Sequence, residues 1–144
     1  MYKLIGCLLL TFSVIIFFYR KCAVFYCTYQ YIGYILELLE DMKIACIYGK
    51  TYNSVFQNYE YETEKDLFYK ICLALCSQEQ KKETDTIILN AGKRIKAEEE
   101  KYLEYNKYLL KDKYSEYMIK FKENNKISLM TGCYTAAVII LFVV

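Results

Sequence analysis

Residues 44–51 read IACIYGKT and end in Gly49-Lys50-Thr51, the three residues that also close the phosphate-binding loop of many ATPases. Two folds hang on these letters. A nucleotide loop would follow a buried strand and open a helix, which means an α/β protein. A helix stop means an all-helical one. The full loop pattern needs a glycine five residues before Gly49, and that position holds Ile44. Upstream, Ile32, Ile35, Leu36, Leu39, Met42 and Cys46 recur at spacings of three and four. Glu37, Glu40 and Asp41 fall on another face. Gly49 therefore reads as the left-handed residue past a helix end, with Thr51 or Asn53 placed to cap the next helix.

Outward from this stop the chain divides into three. No charge occurs in residues 4–19, LIGCLLLTFSVIIFFY, or in residues 127–144, ISLMTGCYTAAVIILFVV. All 17 acidic residues, and every one of the 19 basic residues except Lys3, lie in 20–126. A membrane span needs ~20 apolar residues, range ~17–25. The first stretch is slightly short, and Lys3 and Arg20 can snorkel to close the gap. A cleaved signal needs small residues at its cleavage site, whereas Arg20-Lys21-Cys22 follow here. LIGC at 4–7 has lipobox letters but begins the apolar run instead of following it. Residues 1–20 are thus expected to be an N-terminal anchor and 127–144 a C-terminal transmembrane helix, in which Gly132 and Ala136 have small-xxx-small spacing. Arg20 and Lys21 follow the first span and Lys120, Lys122 and Lys126 precede the second, so the positive-inside rule puts 21–126 in the cytoplasm.

Within 21–126 the pattern is helical. A short helix is expected over 53–59. Thr63-Glu64-Lys65-Asp66 has the form of a capping box, opening a helix with Leu67, Phe68, Ile71, Cys72 and Leu75 in one stripe. The polar run 77–83, SQEQKKE, reads as a connection. Residues 85–126 read as one helix of ~63 Å, because its single Gly92 costs only ~1 kcal/mol. Ile88, Ile95, Tyr102, Tyr105 and Leu109 make one of its stripes. Leu103, Leu110, Tyr114, Tyr117 and Phe121 make a second. The expected fold is all-α: a bundle of long antiparallel helices with short helices at the tip, flanked by N- and C-terminal transmembrane helices.

Chemistry is sparse. The chain has no His, so the commonest general base and metal ligand is missing. Its seven Cys sit at small apolar positions of helical stripes, not in close pairs on turns. Glu98-Glu99-Glu100 reads as a solvated face. The net charge of +2 gives no reason to expect nucleic acid. No catalytic, cofactor or metal residue and no small-molecule substrate is expected.

The order of features resembles one family, stage III sporulation protein AB of endospore-forming bacteria. Lys3-Leu4-Ile5-Gly6 at the first span, the Leu-rich helix ending in Tyr48-Gly49-Lys50-Thr51, and Lys126-Ile127-Ser128-Leu129 before a small-residue apolar tail carry the resemblance. The chain departs from the family at Ala45, Cys46 and Tyr52, and on the last helix at Ala91-Gly92 followed by Lys93, Arg94 and Ile95. Tyr48, Gly49, Lys50, Thr51, Gly92, Lys93 and Arg94 are accordingly the candidate interaction and helix-cap residues. The resemblance implies a non-enzymatic membrane component of the channel complex between mother cell and forespore. Its domain is similar to the cytoplasmic domains of secretion platform proteins, and its partners would be channel proteins and a secretion-type ATPase. An unrelated two-span regulator or a small pore former is the competing reading. A pore former should show polar residues along one face of its spans, which here carry only Thr11, Ser13, Ser128, Thr131 and Thr135.

Lys50→Ala is expected to leave stability and function nearly unchanged. Equilibrium binding of ATP, abolished by that substitution, would overturn the helix-stop reading.

Overall fold

The structure is a computed structural model. It describes the backbone of residues 2–143, with side chains except those of residues 2–4, 7, 136, 139, 140, 142 and 143. The expected snorkelling of Lys3, the placement of Cys7 and the small-residue pairing through Ala136 lie outside the described residues.

Five helices and no strand are present among the described residues: α1 (Tyr2–Ile47), α2 (Tyr52–Lys65), α3 (Leu67–Leu75), α4 (Gln78–Asn90) and α5 (Lys96–Val143). With no Pro in the chain, nothing removes a backbone donor inside α1 or α5, and each runs unbroken. α1 is the one element among the described residues that is long and apolar enough to cross a membrane. Its end carries Leu9, Leu10, Phe12 and Phe17 exposed on the protein surface. Residues 127–143 continue α5 as helix, with Leu129, Tyr134 and Leu141 exposed.

α1 and α5 pair antiparallel along their length. Lys96 Nζ donates to the Ile47 carbonyl at 2.6 Å, Lys43 pairs with Glu104 at 3.4 Å, and Lys107 pairs with Glu40. Toward the apolar ends, Tyr29 stacks edge-on with Tyr114 and Tyr26 meets Phe121, with ring centroids 5.5 and 5.3 Å apart. The seam is Ile32, Ile35, Leu38, Leu39 and Met42 against Leu103 and Leu110, all buried. Each such side chain stabilises the fold by ~1.5–3 kcal/mol relative to exposure.

The remaining helices wrap this pair. α2 leaves the α1 turn and runs back along α1, with Tyr59 and Thr63 inward. α3 crosses α1 at residues 26–34: the Tyr34 hydroxyl donates to Asp66 Oδ2 at 2.6 Å and Phe68 packs on Tyr26. α4 returns, beginning where Ser77 N–H donates to Thr28 Oγ1 at 2.9 Å and passing Tyr31, whose hydroxyl meets Thr84 Oγ1 at 3.1 Å.

Several expectations need correction. The short helices are not gathered at the tip and do not fold against the return helix. α2 and α3 pack on α1, and α3 sits at the end of the bundle nearest Arg20. The run 77–83 is not a connection but the first half of α4. Its residues lack apolar side chains, yet Gln80 and Thr84 turn inward and pack as α4's buried face. Residues 85–126 are not one helix, because α4 ends at Asn90 and α5 begins at Lys96. Thr63 does not cap α3. Its Oγ1 donates back to the Tyr59 carbonyl inside α2, while Asp66 caps α3 by accepting from Phe68 N–H at 2.8 Å. Of the two stripes on the last helix, only that of Leu103 and Leu110 is deeply buried. Ile95, in the turn before α5, is 70% exposed and Tyr105 is 62% exposed, whereas Tyr102 of the same stripe packs on the core and its hydroxyl donates to the Ile87 carbonyl at 3.1 Å.

The aromatic seam predicts an alkaline limit. Burial, opposed by the bond to Thr84, pushes the Tyr31 hydroxyl from its usual 10.0 up to about 12. The hydrogen bond to Asp66, then burial, pushes Tyr34 up to about 12. Burial also raises Tyr59. A group raised in the folded state stabilises fully below its unfolded pKa and loses that contribution as pH climbs through the folded one. Helicity by circular dichroism is therefore expected to hold up to about pH 10 and fall between about 10 and 12, together with the rise in tyrosinate absorbance. Helicity unchanged through about pH 12 would contradict it.

Candidate functional site

The two stretches singled out in the sequence meet at the end of the bundle farthest from Arg20. There the turn between α1 and α2 faces the turn between α4 and α5. They enclose a groove of about 400 Å³ whose walls include Gly49, Lys50, Thr51, Gly92, Arg94 and Glu99.

The first turn is built by its glycine. Gly49 has φ +65°, the left-handed region where a Cβ is strained. Gly49 N–H donates to the Cys46 carbonyl at 3.2 Å and Lys50 N–H to the Ala45 carbonyl at 2.8 Å. These two bonds are the Schellman pattern that satisfies the last carbonyls of a helix. The next carbonyl, that of Ile47, takes the Lys96 ammonium, a cation at the negative end of α1. Cys46 Sγ lies 3.7 Å from the Lys96 carbonyl, so α5 begins against the end of α1. Thr51 occupies the N-cap position of α2 with its side chain unbonded to the helix, and Tyr48 is largely exposed. The opening GKT is therefore a helix stop followed by a helix start.

The second turn was expected to be helix. Gly92 has φ +80° and follows the last residues of α4. Two contacts from elsewhere hold it there. Its N–H donates to Glu99 Oε1 at 2.7 Å, and the Tyr52 ring lies where a Cβ would reach it at 3.3 Å. Arg94 closes the turn: Nη1 donates to the Asn90 carbonyl at 2.8 Å, and its guanidinium lies 3.7 Å from the centre of the Tyr102 ring. Lys93 Nζ donates to Asn90 Oδ1 at 3.2 Å on the exposed side.

Glu99 corrects the reading of the acidic run. It is 2% exposed, whereas Glu98 faces water. Its Oε1 accepts from Gly92 N–H and, at 3.4 Å, from the Tyr52 hydroxyl. Its Oε2 makes no hydrogen bond and has the Arg94 guanidinium 3.8 Å away. The carboxylate also lies in the first turn of α5, where the helix dipole favours negative charge. Glu99, Tyr52 and Lys96 are the residues that sequence reasoning missed. The available signal was an acidic side chain in the first turn after a glycine.

The structure thus brings Gly49, Lys50, Thr51, Gly92 and Arg94 around one groove, and leaves Tyr48 and Lys93 outside it as exposed neighbours. What the arrangement offers is a partly cationic surface: Lys50, Arg94 and Lys96 line the groove beside a carboxylate already occupied in fastening one turn to the other, and Lys93 lies exposed next to it. Away from the tip, Cys27, Cys72 and Cys76 are buried between α1 and α3. Burial pushes the Cys72 thiol up to about 12, so it is not a nucleophile at neutral pH. Among the described residues, no cluster of three or more Cys, Asp or Glu side chains is arranged to hold a metal ion.

Comparison with protein-family models, with curated proteins and with solved structures finds no match.

The two glycines are expected to respond differently to Ala. At Gly49 the added Cβ meets open space, leaving only the left-handed backbone cost of ~1–2 kcal/mol. At Gly92 it also presses on Tyr52, so the loss in urea unfolding should be clearly larger. Glu99→Ala strands the Gly92 N–H and should cost ~2–3 kcal/mol, with Glu99→Gln, which keeps an acceptor, well below that. Equal losses for Ala and Gln would mean that the carboxylate does not hold the turn.

Proposed function

We propose that the protein is a non-enzymatic, membrane-anchored platform, a component of the secretion-like channel between mother cell and forespore, as the resemblance to stage III sporulation protein AB implies. The observation that carries this reading is the pairing of two unbroken antiparallel helices. It brings the apolar stretch of α1 and the apolar end of α5 to the same end of the bundle, and the groove between the turns to the other. In this reading residues 4–19 and 127–143 both cross the cell membrane on the mother-cell side of the septum. Arg20, Lys21, Lys122 and Lys126 then mark the cytoplasmic face.

The role is to hold partners at a fixed distance from the bilayer. The groove around Gly49 and Gly92, rimmed by Lys50, Lys93 and Arg94, is the surface proposed to meet a secretion-type ATPase, an acidic face of which would complement it. Such a surface needs rigidity and charge, not a nucleophile or a general base.

Deletion of the gene from an endospore-forming host is expected to block development after engulfment. Residues 21–126 expressed alone should be helical by circular dichroism yet fail to restore spores, because they are no longer concentrated at the septal membrane. Full sporulation in the deletion strain, or rescue by the soluble fragment, would refute the role.

A further inference from the structure

We propose that the outer flank of α3, formed by Leu67, Phe68, Ile71 and Leu75, rests in the lipid headgroup layer beside α1, giving the domain a third point of membrane contact. This rests on the reading that α1 crosses the bilayer through residues 4–19.

α3 is apolar on more of its circumference than the bundle uses. Cys72 and Cys76 are buried against α1, and Tyr69 packs on the core. Leu67, Ile71 and Leu75, spaced by four, form a stripe on another side, with Phe68 beside it. They are 72%, 46%, 46% and 39% exposed, although each is large and apolar. A contiguous exposed patch of this kind marks an interaction surface, not ordinary surface scatter.

The direction in which the stripe faces follows from what the two edges of α3 touch. Tyr69, on one edge, meets Tyr34 at 5.0 Å and Tyr59 at 6.0 Å between ring centroids, toward the tip. Phe68, on the other, meets Tyr26 at 6.0 Å, toward Arg20. Tyr26 and Tyr34 are about 12 Å apart along a helix rising 1.5 Å per residue. On a helical wheel Ile71 and Leu75 fall between Leu67 and Phe68, away from Tyr69. The stripe therefore lies on the side of α3 toward the apolar end of α1.

Its height fits a lipid surface. Tyr26 stands about 9 Å along α1 from Arg20. Headgroups extend several ångströms beyond the hydrocarbon, and amphipathic helices seat their apolar faces ~5–10 Å into that boundary. Phe121 of α5 meets Tyr26 at the same level, and exposed Lys122 and Lys126 follow it toward the bilayer. The apolar flank is thus continuous with the aromatic collar where both long helices leave the membrane. A lipid surface is the occupant that this continuity selects.

The chain contains no Trp, so a single introduced Trp reports its own surroundings. Full-length Leu67→Trp, Phe12→Trp and Tyr48→Trp, each reconstituted in phosphatidylcholine–phosphatidylglycerol vesicles, would be compared with and without lipids brominated either near the headgroup or deep in the acyl chains. Leu67→Trp should lose at least about half of its emission to the bromines near the headgroup and Phe12→Trp at least about half to the deep ones, as expected of an interfacial and an inserted side chain, and Tyr48→Trp almost none to either. Leu75→Trp replaces Leu67→Trp if circular dichroism shows loss of helix. Quenching at Phe12→Trp with none on α3 would overturn the proposal and leave the anchor standing. No quenching at either would overturn both. An α3 Trp untouched by the lipid bromines and also shielded from aqueous iodide would be covered by protein, such as a second copy, and would equally overturn it.

Discussion

The register between α1 and α5 is the constraint on which every other contact depends. It is set at one end by the Lys96 ammonium on the Ile47 carbonyl and carried down through Lys43–Glu104 and Lys107–Glu40. It ends in the rings of Tyr26, Tyr29, Tyr114 and Phe121. The ion pairs, each between a half-buried lysine and an exposed glutamate, contribute little energy each, and the driving force is the apolar seam they flank. What the charges and rings do is make slippage costly. A shift of one turn would break one of the two ion pairs and pull Leu103 and Leu110 out of the seam.

The tip depends on that register in turn. Glu99 can receive Gly92 N–H and the Tyr52 hydroxyl only if α5 begins where Lys96 reaches the end of α1. One carboxylate then joins the turn after α4, the first turn of α2 and the start of α5. At the opposite end, the Ser77 N–H to Thr28 bond and the Tyr31–Thr84 pair fix where α4 leaves α3. These buried polar bonds add modest net stability, but leaving any of them unmade is expensive, so they specify one arrangement among similar helical packings.

The helical class, the stop at Gly49 and the stripe from Ile32 to Met42 were legible because each is a local signal: a period, a glycine, a break in apolar spacing. The break at Gly92 was not. A lone glycine inside good helix formers costs about as much as one exposed substitution, so sequence alone favours continuing the helix. The partners that decide otherwise, Tyr52 and Glu99, lie elsewhere in the chain. The run at 77–83 misled in the opposite way. Its polarity suggested a loop, yet Gln, Glu and Lys are strong helix formers, and Gln80 is buried despite its amide. At the candidate site, Gly49, Lys50 and Arg94 could be picked out as turn residues. Glu99 could not be told from its neighbours in the acidic run, because only the turn geometry decides which of three carboxylates faces inward.

The unbroken course of α1 and α5 has a mechanical consequence. Helices of 46 and 48 residues are ~70 Å long, and no proline or glycine turn interrupts either between the apolar end and the tip. Two such rods locked side by side resist bending far better than one. In the proposed membrane-anchored reading, a tilt of ~5° where they leave the lipid displaces the far end, ~40 Å away, by ~3–4 Å, and a lateral push on the tip returns to the bilayer as tilt instead of being absorbed on the way. In that reading the domain is a lever whose fulcrum is the ring of aromatics around Tyr26.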